Sequence, residues 1–230
     1  MNSFMIFGHR GAGVYEPENT LRAIRRALKD GADGAEVDVR LTQDGHPVLI
    51  HDDTVDRTTN GSGLVSTFPL RKLKELNAGK GEEVPTLQEA IGVIKGQGKL
   101  LLHVKIAEAE PAVEQAIRDS GALEDVFMWA SESHEKLLQD TVYWARTVSS
   151  PPKKMAVIGF VSHLSEIQRR MEDIVAVHRR GHSFVAIIHP KLEEDPKNRE
   201  RLITIGIDGI VTDIPDVYVK LTKRAKLKRF

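Results

Sequence analysis

Residues able to do chemistry gather at the ends of the early apolar runs of this chain. His9-Arg10-Gly11 follows Phe4-Met5-Ile6-Phe7, Glu36-Val37-Asp38 lies in the next run, and His51-Asp52 follows Val48-Leu49-Ile50. Imidazoles titrate where one can take a proton from a nucleophile and another can return one to a leaving alkoxide. Carboxylates are the oxygen ligands that hard cations choose, and a guanidinium matches phosphoryl oxygens with its fork of N–H groups. Either histidine alone reads as structural. As a pair with acids between them, His9 and His51 are the equipment for acid–base, metal-assisted attack on a phosphoester, with Arg10 beside the charge.

On a strand, residues i and i+2 share a face, so Glu36, Asp38 and Arg40 point one way while Val37, Val39 and Leu41 pack the other. Two readings fit: both carboxylates ligate one ion, or Arg40 neutralises one of them in a buried pair. His103 and Lys105 share a face in the same manner, and the ammonium there suits a phosphoryl oxygen. Pro17-Glu18-Asn19-Thr20 starts a helix with Asn19 or Thr20 as its cap, for which a structural role suffices. His46, His134, His163, His178 and His182 read as surface or packing residues, and His189 as a strand-end residue near the mouth.

The elements that must position these groups alternate. Val-, Ile- and Leu-rich runs at 4–8, 34–40, 99–105, 126–130, 155–161, 184–189 and 208–212 alternate with helix-period stretches at 20–30, 86–95, 110–119, 133–145, 163–179, 196–204 and from about 215. This predicts an α/β fold of the TIM (β/α)8 type. The run 48–51 follows 34–40 too closely for a crossover, so it is a hairpin excursion, and the eighth strand is sought as a degenerate one within 162–181. Gly31-Ala32-Asp33-Gly34 and Gly206-Ile207-Asp208-Gly209 open two copies of one frame, each ending in an acid, Asp38 and Asp213, at a strand's C-terminal end. The polar stretch 52–85 is read as a loop or small insertion over the mouth, within one domain spanning 1–230.

Across 230 residues, 33 Lys and Arg balance 33 Asp and Glu, so no overall field favours nucleic acid. The exception is the last 11 residues, which hold Lys220, Lys223, Arg224, Lys226, Lys228 and Arg229 and no acid. A solvated helix end explains them, with a weak membrane-surface contact as the alternative. No cysteine is present, which excludes thiolate chemistry and disulfides, and the first residues lack a signal-peptide pattern. A cytoplasmic protein acting on a small-molecule phosphodiester, without membrane insertion, is expected.

Taken in order, His9-Arg10-Gly11, Pro17-Glu18-Asn19-Thr20, Gly31 to Asp38, Thr42-Gln43-Asp44-Gly45, His51-Asp52, Arg57-Thr58-Thr59, Pro85-Thr86-Leu87 and Gly209 to Asp213 with Pro215 resemble the glycerophosphodiester phosphodiesterases. The resemblance is close over the first 105 residues and recognisable over the last 30 or so. It implies a TIM barrel that cleaves glycerophosphodiesters to glycerol 3-phosphate and an alcohol with a divalent cation, Mg2+ or Ca2+. His9 and His51 would be the acid–base pair, Glu36 and Asp38 metal ligands, and Arg10 and Lys105 phosphate contacts. Attack by water, or by the substrate's own hydroxyl through a cyclic phosphate, both fit.

Two departures stand out. Where the family usually has a third ligand, a Glu two residues before the lysine, this chain has His103, and imidazole suits Zn2+ or Mn2+ better than Mg2+ or Ca2+. Near Val185-Ala186-Ile187-Ile188-His189-Pro190 the family's aromatic is absent, so its substrate preference need not carry over. Retained hydrolysis with altered metal preference is the first expectation. A phosphoester-binding barrel without turnover, and a phospholipase D-like activity on lysophospholipids, are the alternatives.

Overall fold

The computed structural model describes residues 4–130, 142–149 and 155–225. Its strands are β1 (Met5–Gly8), β2 (Gly34–Leu41), β3 (Pro47–Leu49), β4 (Lys99–Val104), β5 (Val126–Ala130), β6 (Val142–Arg146), β7 (Met155–Val161), β8 (Ser183–Ile188) and β9 (Gly209–Thr212). The helices are α1 (Leu21–Lys29), α2 (Leu70–Leu73), α3 (Leu87–Ile94), α4 (Glu110–Ser120), α5 (Leu164–Arg169), α6 (Met171–Arg179), α7 (Pro190–Glu193), α8 (Pro196–Leu202) and α9 (Pro215–Arg224).

The strands run in the order β1, β9, β8, β7, β6, β5, β4, β2, and the pairing of β2 back to β1 closes the ring. β3 stands outside it, antiparallel to β2 with Leu41 opposite Pro47, as the short connection requires. One strand breaks the parallel pattern of a TIM barrel: β6 is antiparallel to both β5 and β7.

This strand corrects two expectations. Of the helix expected at 133–145, residues 133–141 lie outside the described residues, and its last positions form β6 instead. Val142-Tyr143-Trp144-Ala145 is an apolar run that fits either period, and its β-branched and aromatic content favours a strand. The stretch searched for a degenerate strand, 162–181, holds α5 and α6. There Ile167, Ile174 and Val177 recur at helical spacing and join the outer core.

Alternation along the strands divides the core in two. Met5, Phe7, Leu101, Phe127, Trp129, Ala145, Ile158, Val185, Ile187 and Val211 fill the barrel interior. Val37, Val39, Leu100, Leu102, Val104 and Met128 pack outward against Leu87, Ala90, Ile91 and Ile94 of α3 and Val113 and Ile117 of α4. The repeated frame has a physical basis, because Asp33 accepts the Ile6 amide at 2.8 Å and Asp208 accepts the Phe184 amide at 2.8 Å. Each carboxylate pins the turn entering a strand to the strand beside it. The stretch 52–85 builds a small core of its own, in which Val55, Val65, Leu73, Ala78 and Val84 pack on Val48 and Ile50.

Candidate active site

The turn after β1 is held in a conformation that few sequences tolerate. Arg10 adopts φ 51° and Gly11 φ 83°, both left-handed. A Cβ on Gly11 would lie 2.6 Å from the backbone carbon of Ala23 in α1, so only glycine fits. The strained turn aims backbone donors at β2: the Arg10 amide reaches the Glu36 carboxylate at 3.1 Å, and the Gly11 amide reaches the Glu36 carbonyl at 3.1 Å.

Asp38, buried beside Glu36 on β2, is gripped from several sides. Asn19, with φ 56°, donates from Nδ2 to Asp38 Oδ2 at 3.0 Å and accepts the Asp38 amide at 3.0 Å through Oδ1. Arg10 Nε and Lys105 Nζ each stand 3.5 Å from the carboxylate, and His103 Nδ1 stands 3.3 Å away. Burial would raise the Asp38 carboxyl, but His103 and Lys105 outweigh it and hold it below the usual carboxylate range. Glu36 has the Arg10 amide and the His9 ring, at 4.0 Å, to favour its charge, and they are outweighed. Burial, reinforced by the Asp38 charge, pushes it well above that range.

A buried acid that resists ionisation beside an ionised one is the electrostatic state that a bound cation relieves. Glu36, Asp38 and His103 each offer a ligand atom, and these atoms lie within 4.8 Å of one another. Two carboxylate oxygens and one imidazole nitrogen fit a divalent cation. The His103 ring is fixed by stacking on Trp129, with centroids 4.0 Å apart and planes 14° apart, and burial depresses its basicity.

His9 and His51 share one design. His9 Nδ1 lies 2.7 Å from Asp213 Oδ1 at the end of β9, and His51 Nδ1 lies 2.7 Å from Asp52 Oδ1. A carboxylate on Nδ1 fixes the ring and leaves Nε2 for proton exchange. His9 Nε2 faces Glu36 at 4.0 Å. Burial lowers the His9 pKa, but the Asp213 hydrogen bond and the charges of Glu36 and Asp213 reverse this and raise it.

Of the seven predicted site residues, His9 and Arg10 follow β1, Glu36 and Asp38 lie within β2, His51 follows β3, His103 is the penultimate residue of β4, and Lys105 follows that strand. Among the described residues Arg40 makes no direct ion pair with Glu36 or Asp38, contrary to the alternative reading; its Nε donates to the His51 carbonyl at 3.0 Å. His189 caps α7, its Nδ1 accepting the Lys191 amide. Residues read only as helix start or flanking polar groups prove to be part of the site. Thr20 alone caps α1, accepting from the Ala23 amide, while Asn19 serves Asp38 and Glu18 accepts from Arg10 Nη1 at 2.8 Å. Asp52 and Asp213 anchor the histidines, and Arg57 binds both Asp52 and Glu18. The available signal was the left-handed tolerance of Asn and the two Asp residues at strand ends.

Residues 9–150 match the glycerophosphoryl diester phosphodiesterase family. A glycerophosphodiester phosphodiesterase of Caldanaerobacter subterraneus is 34% identical over 96% of this chain and 98% of its own length. One of Bacillus altitudinis is 28% identical over 96% of this chain and 99% of its own. The crystal structure of a glycerophosphodiester phosphodiesterase from Agrobacterium tumefaciens superposes with a TM-score of 0.76 at 27% identity, covering 94% of this chain and 99% of that one. With the ordered motifs, the closed barrel and these full-length likenesses in agreement, the chain belongs to the glycerophosphoryl diester phosphodiesterase family.

Proposed function

We propose that this protein hydrolyses glycerophosphodiesters to glycerol 3-phosphate and an alcohol. The observation that carries the reading is the convergence of Glu36, Asp38 and His103 beside two imidazoles, each anchored through Nδ1 by an aspartate. Names of full-length relatives support the same activity.

Arg10 and Lys105 hold the phosphoryl oxygens in this reading, and Arg10 Nε is suited to it as a buried donor with no hydrogen-bond acceptor among the described residues. One imidazole takes the proton of the nucleophile, and the other gives a proton to the departing alkoxide. Glu36, Asp38 and His103 would hold a divalent cation, which offsets charge on the phosphoryl group when bound. The nitrogen of His103 tilts the donor set towards Zn2+ or Mn2+ and away from Mg2+ or Ca2+. The stretch 52–85 contributes Asp52 and Arg57 and forms part of the mouth. Among the described residues, no helix is long and apolar enough to cross a membrane.

The test is release of glycerol 3-phosphate from glycerophosphocholine with Mg2+, Ca2+, Mn2+ and Zn2+, with His51→Ala as control. Release that the substitution abolishes is expected. No release with any ion overturns hydrolysis of this substrate, and release unaffected by His51→Ala overturns the histidine pair. Calorimetric titration of each ion, repeated on His103→Glu, reads the metal preference apart from turnover. The substitution is expected to weaken Zn2+ and strengthen Mg2+, and an unchanged order would remove His103 from the donor set.

A further inference from the structure

Arg57 stands outside the barrel strands, in the stretch after His51, and its guanidinium is about half exposed. It is nonetheless the most fully engaged cation at the mouth. Its Nε and Nη2 donate to Asp52 at 2.6 and 3.0 Å, and its Nη1 and Nη2 donate to Glu18 at 2.8 Å each. Two bidentate pairs on one guanidinium use four of its five N–H groups.

Both carboxylates carry a second load. Asp52 Oδ1 holds His51 Nδ1 at 2.7 Å, and Glu18 Oε1 holds Arg10 Nη1 at 2.8 Å. One continuous run of charge-assisted hydrogen bonds therefore joins His51, Asp52, Arg57, Glu18 and Arg10. Its two ends are the proposed proton-transfer ring and the proposed phosphate-binding guanidinium. They come from different parts of the fold, since His51 follows the hairpin strand β3 whereas Arg10 sits in the strained turn after β1. No backbone hydrogen bond joining residues 9–13 to 51–57 is seen among the described residues.

We propose that Arg57 is a positioning residue that sets His51 and Arg10 in register with each other by clamping Asp52 and Glu18. The inference rests on the roles given above to those two residues. Arg57 keeps Asp52 directed at the imidazole, and it fixes the carboxylate that holds Arg10 over Asp38. A lysine could not reproduce this, because an ammonium presents no planar fork to two carboxylates at once.

The test compares kcat and KM for glycerophosphocholine in wild type, Arg57→Ala and Arg57→Lys, with free guanidinium added at low concentration and sodium at equal ionic strength as control. Losing a partner that orients active-site ligands typically lowers activity by about 10–100-fold, and that loss is expected in kcat for both variants. KM should move by less than about threefold, and guanidinium but not sodium should restore kcat to Arg57→Ala. An unchanged kcat, or a loss confined to KM, overturns the clamp and makes Arg57 a surface charge that attracts substrate. If kcat falls without rescue, Arg57→Ala in an Asp52→Asn background decides: a smaller further loss supports the clamp, and full additivity overturns it.

If the wild type hydrolyses no glycerophosphodiester, it is the proposed function that fails. The clamp is then read by nuclear magnetic resonance of the His51 ring. A protected Nδ1 proton in wild type that is lost in Arg57→Ala supports the clamp, and a proton unchanged by the substitution overturns it.

Discussion

The half of the mouth built on β1, β2 and β4 and the half built on β5, β7 and β8 occupy one barrel at one height, yet their inward residues differ in kind. A single rung of cross-strand partners shows the change: Asp38 faces His103, and His103 faces Trp129, so charge gives way to imidazole and then to indole. On the far side, Phe160 is the partner of Ile187, and Ile187 of Val211. The charged half is stitched by hydrogen bonds through strained turns at Arg10 and Asn19, whereas the apolar half is held by packing, with Trp129 only 1% exposed. Trp129 excludes water beside His103 and Asp38, which strengthens the polar contacts there, whereas Phe160, 41% exposed, leaves the far side open to solvent.

The largest difference between the two halves is expected from His9→Ala. Loss of a proton-transfer group lowers kcat by about 10²–10⁴-fold with little change in thermal stability, read by steady-state kinetics and a melting scan. Trp129→Ala should do the reverse in order of severity. Truncating a buried indole costs about 3–5 kcal/mol and lowers Tm by roughly 6–20 °C, and a Tm within 2 °C or so of wild type would remove Trp129 from the structural half.

A milder effect is expected for Asp213→Asn, which leaves an amide where a carboxylate holds the His9 ring. A fall of about 10–100-fold in kcat, with the fold intact by circular dichroism, is the expected result. Asp213 was legible only as an acid closing the second copy of the Gly-x-Asp-Gly frame, and its service to His9, 204 residues away in sequence, was not.

The smallest effect concerns Glu193 on α7, a buried acid on the apolar side that takes a hydrogen bond from Thr212 Oγ1 at 2.5 Å. Burial, with the Asp213 charge, pushes its carboxyl up to about 7. A folded-state pKa above the unfolded one means the folded protein holds the proton more tightly. Stability contributed by this group is therefore full below the unfolded value and lost as pH rises to the folded one. Glu193→Gln keeps an acceptor for Thr212 but removes this loss. It should match wild type in denaturant melts at low pH and exceed it by on the order of 1 kcal/mol above pH 7. An advantage that does not vary with pH would show that Glu193 is not held protonated.

Read from the chain alone, residue types and periodicity pointed to an α/β barrel, to the hairpin excursion at β3, and to two histidines and two carboxylates as a candidate site, while the roles of Arg10, His103 and Lys105 leaned on the family resemblance. The former follow from local rules: alternation decides which side chains face inward, and a parallel barrel brings strand ends to one mouth. Helix propensity and apolar runs could not separate β6 from a helix, because a short apolar run satisfies both periods until neighbouring strands offer their hydrogen bonds. Tertiary structure alone decided that Asn19 serves Asp38 and not a helix cap, that Arg40 turns to a carbonyl, and that Arg57 links His51 to Arg10. The physical reason is common to all three: long polar side chains choose among several partners at similar cost, and the choice is made by which unsatisfied donor or acceptor the closed barrel brings within 3 Å or so.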